Sequence, residues 1–278
     1  VSAALATVPY RGGAVDIEYM WLNRDRRGAP LLVFLHEGLG SVSAWRDFPA
    51  RLCAAGGFRG LVYSRPGYGR STPRPPHERW RPGFMHEQAR VLLPALLGEL
   101  GADTEADPPW LLGHSDGGSI ALIYAATFPT GVSGLVVLAP HIFVEEVSIA
   151  SIEAARDAFW TSNLRDRLAR HHADPDSAFW GWNKIWLDPE FRDWNIGSLL
   201  PGIRCPVLAV QGRNDQYGTL AQIETIARAV PTTTSVVLDD CGHAVHRDQP
   251  ERLIGAVVKF VAPRLAPMRS SSWEPSPS

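Results

Sequence analysis

The sequence predicts an α/β protein, with a mostly parallel sheet of about eight strands covered by helices on both faces. Three observations predict it. Six short apolar runs are continuous rather than alternating, the pattern of strands buried on both faces. Amphipathic stretches of helical length lie between most of them, so strand and helix alternate. The chain has 278 residues, 45% of them apolar, with a net charge of −2, which is enough for one large core.

The elements follow in order. Residues 3–8 and 15–21 flank Arg11-Gly12-Gly13, a hairpin signal that adds two antiparallel strands at one edge. The buried runs are 31–36, 60–64, 110–114, 134–139, 206–211 and 235–238, and the helical stretches are 84–100, 118–128, 220–230 and 249–260. One interval breaks the rhythm. Residues 141–205 number 65, whereas a bare crossover needs about a dozen, so the interval holds an insertion. It reads as helices over 152–160 and 164–170 followed by an irregular aromatic stretch. It carries Trp160, Trp180, Trp182, Trp186 and Trp194, half of the ten tryptophans.

Charge and cysteine usage narrow the function classes. Only Lys184 and Lys259 are lysines among the 27 basic residues, and the arginines are scattered among 29 acidic residues rather than gathered in a stripe. No nucleic-acid partner is expected. No apolar run approaches the roughly 18 residues that span a bilayer, and residues 1–10 lack the basic start and apolar stretch of a signal peptide. No membrane partner is expected either. Cys53, Cys205 and Cys241 are an odd number in a chain too large for a disulfide scaffold, which points to a reducing compartment, the cytoplasm by default. His171-His172 with Asp174 and Asp176 offers metal-binding side chains. Adjacent histidines do not share one face of a helix, and no H-E-x-x-H or Cys/His cluster occurs, so no metal is expected. Nothing in the sequence sets the oligomeric state.

The motif that carries chemistry is Gly113-His114-Ser115-Asp116-Gly117, a G-x-S-x-G placed between a buried run and a helical pattern. Such a turn is too sharp for side chains at 113 and 117. It pushes the Ser115 hydroxyl into the open, just before a helix N-terminus whose partial positive charge favours developing anions. A serine hydroxyl is a weak nucleophile at neutral pH and needs a base, itself oriented by an acid. Two later loops offer them, each just beyond the carboxyl end of a strand, where ligands collect on such sheets. These are Asp215 after 206–211 and His243 after 235–238. Asp239, Asp240 and Glu145 are other candidates for the acid, and His246 for the base. Cys241, close to His243, reads as a buried structural thiol, because the bend itself holds serine.

Two further motifs are Leu35-His36-Glu37-Gly38-Leu39-Gly40-Ser41 and Ser64-Arg65-Pro66-Gly67-Tyr68-Gly69-Arg70-Ser71. Together with the serine bend and the two later loops, in this order and over about residues 3–264, they resemble the α/β-hydrolase family. The resemblance implies that Ser115 is the nucleophile, Asp215 the acid and His243 the base. It implies no cofactor and a helical cap inserted after the sixth strand. The chain then divides into a core over 1–140, a cap over 141–200, the rest of the core over 201–265 and a tail over 266–278, expected to be poorly ordered. The chain departs from the family pattern at Glu37, where glycine is usual, and at Ser64, where aspartate is usual.

An oxyanion hole needs two preorganised N–H donors, each worth about 2.7–4 kcal/mol of transition-state stabilisation. Asp116 is expected to supply one and Gly38 or Leu39 the other, with Glu37 leaving that choice open. The carboxylates of Glu37 and Asp116 either turn to solvent or bind backbone, or they select against anionic substrates or engage a substrate hydroxyl or amine. His141 and Phe143, just after a strand, and Trp160, Trp182 and Trp186 in the insertion are candidates for an apolar and aromatic substrate pocket. The expected partner is a small molecule, a small or medium carboxylic ester or lactone cleaved through an acyl-enzyme. Two alternatives stay open on the same resemblance: hydrolysis of a carbon–carbon bond in a vinylogous diketone, and a ligand receptor that retains the triad.

Overall fold

A computed structural model describes residues 2–102 and 107–264, and the tail read over 266–278 lies outside them. The chain opens with a hairpin, β1 (Ala4–Tyr10) and β2 (Gly13–Leu22), paired antiparallel. Arg11 and Gly12 both have positive φ at its tip, which matches the right-handed twist of the flanking strands. There follow β3 (Leu31–Leu35), α1 (Phe48–Gly56), β4 (Arg59–Tyr63) and a helix in three parts. Those parts are α2 (Phe84–Glu87), a widened turn over Gln88–Leu92, and α3 (Leu93–Glu99). Periodicity alone predicts one regular helix there. Pro94 has no N–H for the carbonyl four residues earlier and its ring crowds that carbonyl, so the turn before it opens.

Next come β5 (Trp110–His114), α4 (Asp116–Thr127) and β6 (Gly134–Leu138). The insertion follows as α5 (Glu146–Thr161), α6 (Leu164–Ala169) and α7 (Pro175–Trp186). The chain then returns through β7 (Val207–Gly212), α8 (Ala221–Ala229), β8 (Thr233–Leu238), α9 (Val245–Asp248) and α10 (Pro250–Val261). The irregular reading after 170 is corrected, because α7 and two short 3-10 turns, Pro189–Phe191 and Gly197–Gly202, occupy much of that stretch. The start of α7 is signalled by Asp174, whose side chain accepts from the Ser177 N–H at 2.8 Å, with Pro175 in the first turn.

The strand order is β1-β2-β4-β3-β5-β6-β7-β8, parallel from β4 to β8 and antiparallel at the hairpin edge. β3, β5, β6 and β7 are buried along their whole length, as continuous apolar runs require. β8 differs from its expectation as a fully buried run: it is the edge strand, and most of its residues are partly or fully exposed. On one face of the sheet, Phe48 and Leu52 of α1 and Leu253 and Val257 of α10 pack with Phe34, Val62, Leu112 and Val210. On the other, Leu96 of α3, Ile123 of α4 and Ile226 of α8 pack with Val33, Leu111, Val137 and Ala209. No described helix is long and apolar enough to cross a membrane. Cys53, Cys205 and Cys241 are buried and unpaired.

Candidate active site

The bend between β5 and α4 is built as the motif requires. Ser115 has φ 53° and ψ −119°, a left-handed conformation that a side chain adopts only under strain. Its N–H donates to the Leu138 carbonyl at 2.9 Å, tying the bend to β6. A Cβ at Gly113 would collide with the Gly117 carbonyl, and one at Gly117 with that of Leu35. Only glycine at both positions lets α4 start this close to the sheet.

Two loops at the same end of the sheet meet each other beside the cavity that Ser115 lines. Asp215 follows β7 and is held by the Tyr217 N–H at 2.8 Å and the Gln211 side-chain amide at 3.1 Å. His243 follows β8, and its Nδ1 lies 2.9 and 3.0 Å from the two Asp215 oxygens. Burial opposes ionisation of Asp215, but the hydrogen bond from His243 and the Tyr217 N–H outweigh it and hold the carboxyl below its usual range. A carboxylate accepting at Nδ1 leaves the imidazole lone pair on Nε2, the form that takes a proton from a neighbouring hydroxyl. Ser115 and His243 both line one cavity of about 310 Å³. No hydrogen bond joins the Ser115 hydroxyl to His243 among the described residues, where the His243 ring bonds to Asp215.

The alternative acids and base lie elsewhere. Asp239 pairs with Arg213 at the surface, and Glu145 accepts from Thr219 and Gln222. His246 is buried against Trp45, Phe48 and His114. Burial pushes the Cys241 thiol up to about 11, which leaves it protonated and unreactive at neutral pH.

Around the serine, Glu37, Gly38, Leu39, His141, Trp182 and Trp186 line the cavity as the sequence suggests. The backbone N–H groups of Gly38 and Leu39 have no partner among the described hydrogen bonds. His36 fixes this loop. Its Nε2 accepts from the Arg65 N–H at 2.9 Å, so its Nδ1 donates to the Glu37 carbonyl at 2.7 Å. Burial and the Arg65 charge keep its pKa well below the usual value and the ring neutral.

Three expectations are corrected. Trp160 is 71% exposed, edge-on to Phe159 and tilted against Trp180 on the outside of the insertion, because α5 turns that face away from the core. Phe143 does not line the cavity; it pairs with Asn195 in an isolated bridge, and its carbonyl accepts from Gln222. Asp116 faces neither solvent nor the cavity. Its carboxylate is buried, accepts from the Trp186 indole at 3.2 Å and lies 3.5 Å from the buried Arg65 guanidinium. Burial pushes this carboxyl up against the pull of Arg65 and Trp186. Glu37, by contrast, faces the cavity, with His114 at 3.4 Å and Arg247 at 3.7 Å. Burial opposes its ionisation, and the contact with His114 outweighs that and holds its pKa well below the usual range.

Several cavity residues carry no sequence signal: Ile152, Arg167, Gln216, Tyr217 and Arg247. Arg247 lies four residues beyond His243, one helical turn on, which is the only positional hint. His171 and His172 serve structure. His172 accepts from the Gly69 N–H at 3.0 Å and donates to the Leu39 carbonyl at 3.1 Å, and His171 Nδ1 is 2.9 Å from the Ser43 hydroxyl. No cluster able to hold a metal occurs among the described residues.

A doubly covered, mostly parallel sheet in this order, with serine on the strained bend after its fifth strand, defines a class: the α/β hydrolases. The chain belongs to the alpha/beta hydrolase family, whose profile matches residues 32–256. It is 24% identical over 272 residues to a 2-succinyl-6-hydroxy-2,4-cyclohexadiene-1-carboxylate synthase of Klebsiella pneumoniae (strain 342), covering 87% of this chain and 97% of the relative. In fold it resembles a thermophilic esterase from Thermogutta terrifontis, with TM-score 0.73, 19% identity and 95% and 99% of the two chains covered. It also resembles an enol-lactonase from Burkholderia xenovorans LB400, with TM-score 0.70, 21% identity and 92% and 99% covered.

Proposed function

We propose that this chain is a serine hydrolase cleaving a small or medium carboxylic ester or lactone through an acyl-enzyme, beneath a cap formed by the insertion. The observation that carries the reading is the Asp215–His243 contact behind a cavity that the strained Ser115 shares. His243 takes the hydroxyl proton at Nε2 as Ser115 Oγ attacks the carbonyl carbon. Asp215 stabilises the imidazolium that forms. The oxyanion is met by the Asp116 N–H, at the start of α4, and by an N–H from Gly38 or Leu39. Collapse breaks the bond to the leaving alkoxide, which takes the proton from His243. Water, deprotonated by the same imidazole, then attacks the acyl ester, and the bond to Ser115 Oγ breaks as the imidazolium returns its proton to that oxygen, releasing the acid. No step calls for a cofactor, and the buried unpaired thiols fit a reducing compartment such as the cytoplasm.

The test is turnover of a panel of short-chain aryl esters and small lactones by the wild-type protein and by Ser115→Ala. The variant is expected to lose on the order of 10⁶ in kcat, as removal of the nucleophile does in a comparable triad. Wild-type turnover by Ser115→Ala on every ester cleaved would overturn the assignment. Rapid bleaching of a dienoate chromophore, with aryl esters turned over poorly by the wild type, would move the reaction to carbon–carbon cleavage.

A further inference from the structure

The cavity carries positive charge that ester cleavage by itself does not use. Backbone N–H groups suffice for the oxyanion, yet two guanidinium groups line the same cavity, Arg167 from α6 of the insertion and Arg247 from α9 of the core. Arg247 is anchored: it donates to the Ala44 carbonyl at 3.1 Å and lies 3.7 Å from Glu37. Arg167 has no side-chain hydrogen bond or ion pair among the described residues. Asp116, the other carboxylate next to Ser115, is sealed away beneath Trp186 and beside Arg65, so it adds no negative charge to the cavity. The Asp215 carboxylate is 2% exposed and committed to His243. At the cavity wall, then, two positive groups stand against the single carboxylate of Glu37, which itself faces His114.

The surroundings reinforce the sign. Arg46, Arg70, Arg170, His171 and Glu18 line a neighbouring groove along the seam between core and insertion. The Ser43–His171 contact joins the two sides of this seam, and the Ala44 carbonyl beside it takes the Arg247 hydrogen bond. Of these residues only Arg70 is committed to Glu18. The same cavity has an apolar wall of Ile152, Trp182 and Trp186, which suits a short hydrocarbon spacer.

Resting on the reading of Ser115 as nucleophile, we propose that Arg167 and Arg247 form an anion subsite, which selects esters or lactones bearing a carboxylate a few bonds from the scissile carbonyl. Planar guanidinium groups match a carboxylate in fork geometry. Two arginines less Glu37 leave one net positive charge, which suits a monoanion better than a dianion. Because one arginine comes from the insertion and the other from the core, a bound carboxylate also draws the two together over the serine. The sign is opposite to one of the alternatives left open by the sequence, in which Glu37 and Asp116 select against anionic substrates.

The test compares matched acyl groups: 4-nitrophenyl half-esters of succinate, glutarate and adipate against the methyl-ended 4-nitrophenyl butanoate, pentanoate and hexanoate. At low salt the wild type is expected to favour at least one charged ester by about tenfold or more in kcat/KM, chiefly through KM. The preference should shrink as salt is raised. In Arg167→Gln and Arg247→Gln the charged-to-neutral ratio should fall towards one, and Arg167→Lys should restore part of it. No charged preference in the wild type, or an undiminished one in both glutamine variants, overturns the subsite while leaving the serine mechanism standing. If neither series is turned over, the proposed reaction fails and the subsite is decided by calorimetry. Monomethyl glutarate, a monoanion at neutral pH, should then bind about tenfold or more tightly to the wild type than to Arg167→Gln, and equal binding would overturn it.

Discussion

The residue that departs furthest from its sequence reading is Asp116. Beside a nucleophile, a carboxylate invites a role towards substrate, but the first turn of α4 offers it the positive end of a buried helix, and Arg65 and Trp186 complete its surroundings. Arg65 is itself fully buried and also donates to the Glu37 carbonyl at 2.8 Å, so one guanidinium braces both loops expected to supply oxyanion donors. Removing one partner of a buried pair costs about 3–5 kcal/mol, because the other is left uncompensated. Arg65→Met should therefore lower unfolding free energy in urea by about that amount, and a loss below about 1 kcal/mol would mean that the pair is not coupled. Identity at positions 65 and 116 was visible in the sequence. Their mutual approach was not, because it depends on where two distant turns come to rest.

At the scale of elements, the serine bend was legible almost atom by atom, since its glycines follow from backbone sterics alone. Gly117 faces the Leu35 carbonyl of β3 without room for a methyl group. In Gly117→Ala, α4 must back away from the sheet, at a cost of about 1–3 kcal/mol or more for overpacking a tight core. The measurable outcome is a lower melting temperature together with loss of the proposed ester turnover; an unchanged melting temperature would contradict the packing described. α7 was missed for a different reason. Its buried residues Ala178, Phe179, Trp182, Ile185 and Trp186 do recur at helical spacing and pack on Phe159, Phe191 and His141, but Trp180 and Gly181 in their midst make the run read as irregular and aromatic. Asp174 and Pro175 signalled its start, but outside the alternating strand and helix pattern that signal was easily passed over. The opened turn before Pro94 belongs to the same scale: proline marked the site, while periodicity concealed the change.

For the whole molecule, sheet order and the two apolar layers follow from continuous apolar runs separated by amphipathic stretches, so the architecture could be read before any coordinates. The two arginines of the cavity could not. Arg167 and Arg247 come from an insertion helix and a short turn whose placement is set by packing, with no pattern linking residues so far apart in sequence. Burial has a further molecular consequence. It lowers the pKa of His36 and His246 well below the usual value and that of His141 to about 3, each ring remaining neutral in the fold. Unfolded, these histidines bind protons near the reference value of about 6.5. Below that pH the unfolded chain takes up more protons than the folded one, so stability falls as pH falls. It is fully present above about pH 6.5, and the His141 contribution continues to be lost down to about pH 3. The depressed carboxyls of Glu37 and Asp215 add to this loss at the acid end of that range, whereas Asp116, shifted upward, opposes it. Thermal melts between pH 7.5 and 4.5 should show a steadily decreasing midpoint; a midpoint that is flat or rises towards acid would refute the neutral burial of these rings.

The central claim is that Ser115 is made nucleophilic by an imidazole that Asp215 orients, and covalent labelling tests it most directly. A fluorophosphonate probe followed by peptide mapping should place one label per chain on Ser115, and labelling should become far slower in His243→Ala. A native protein that cleaves esters while Ser115 stays unlabelled, or that carries the label on another side chain, would contradict the account.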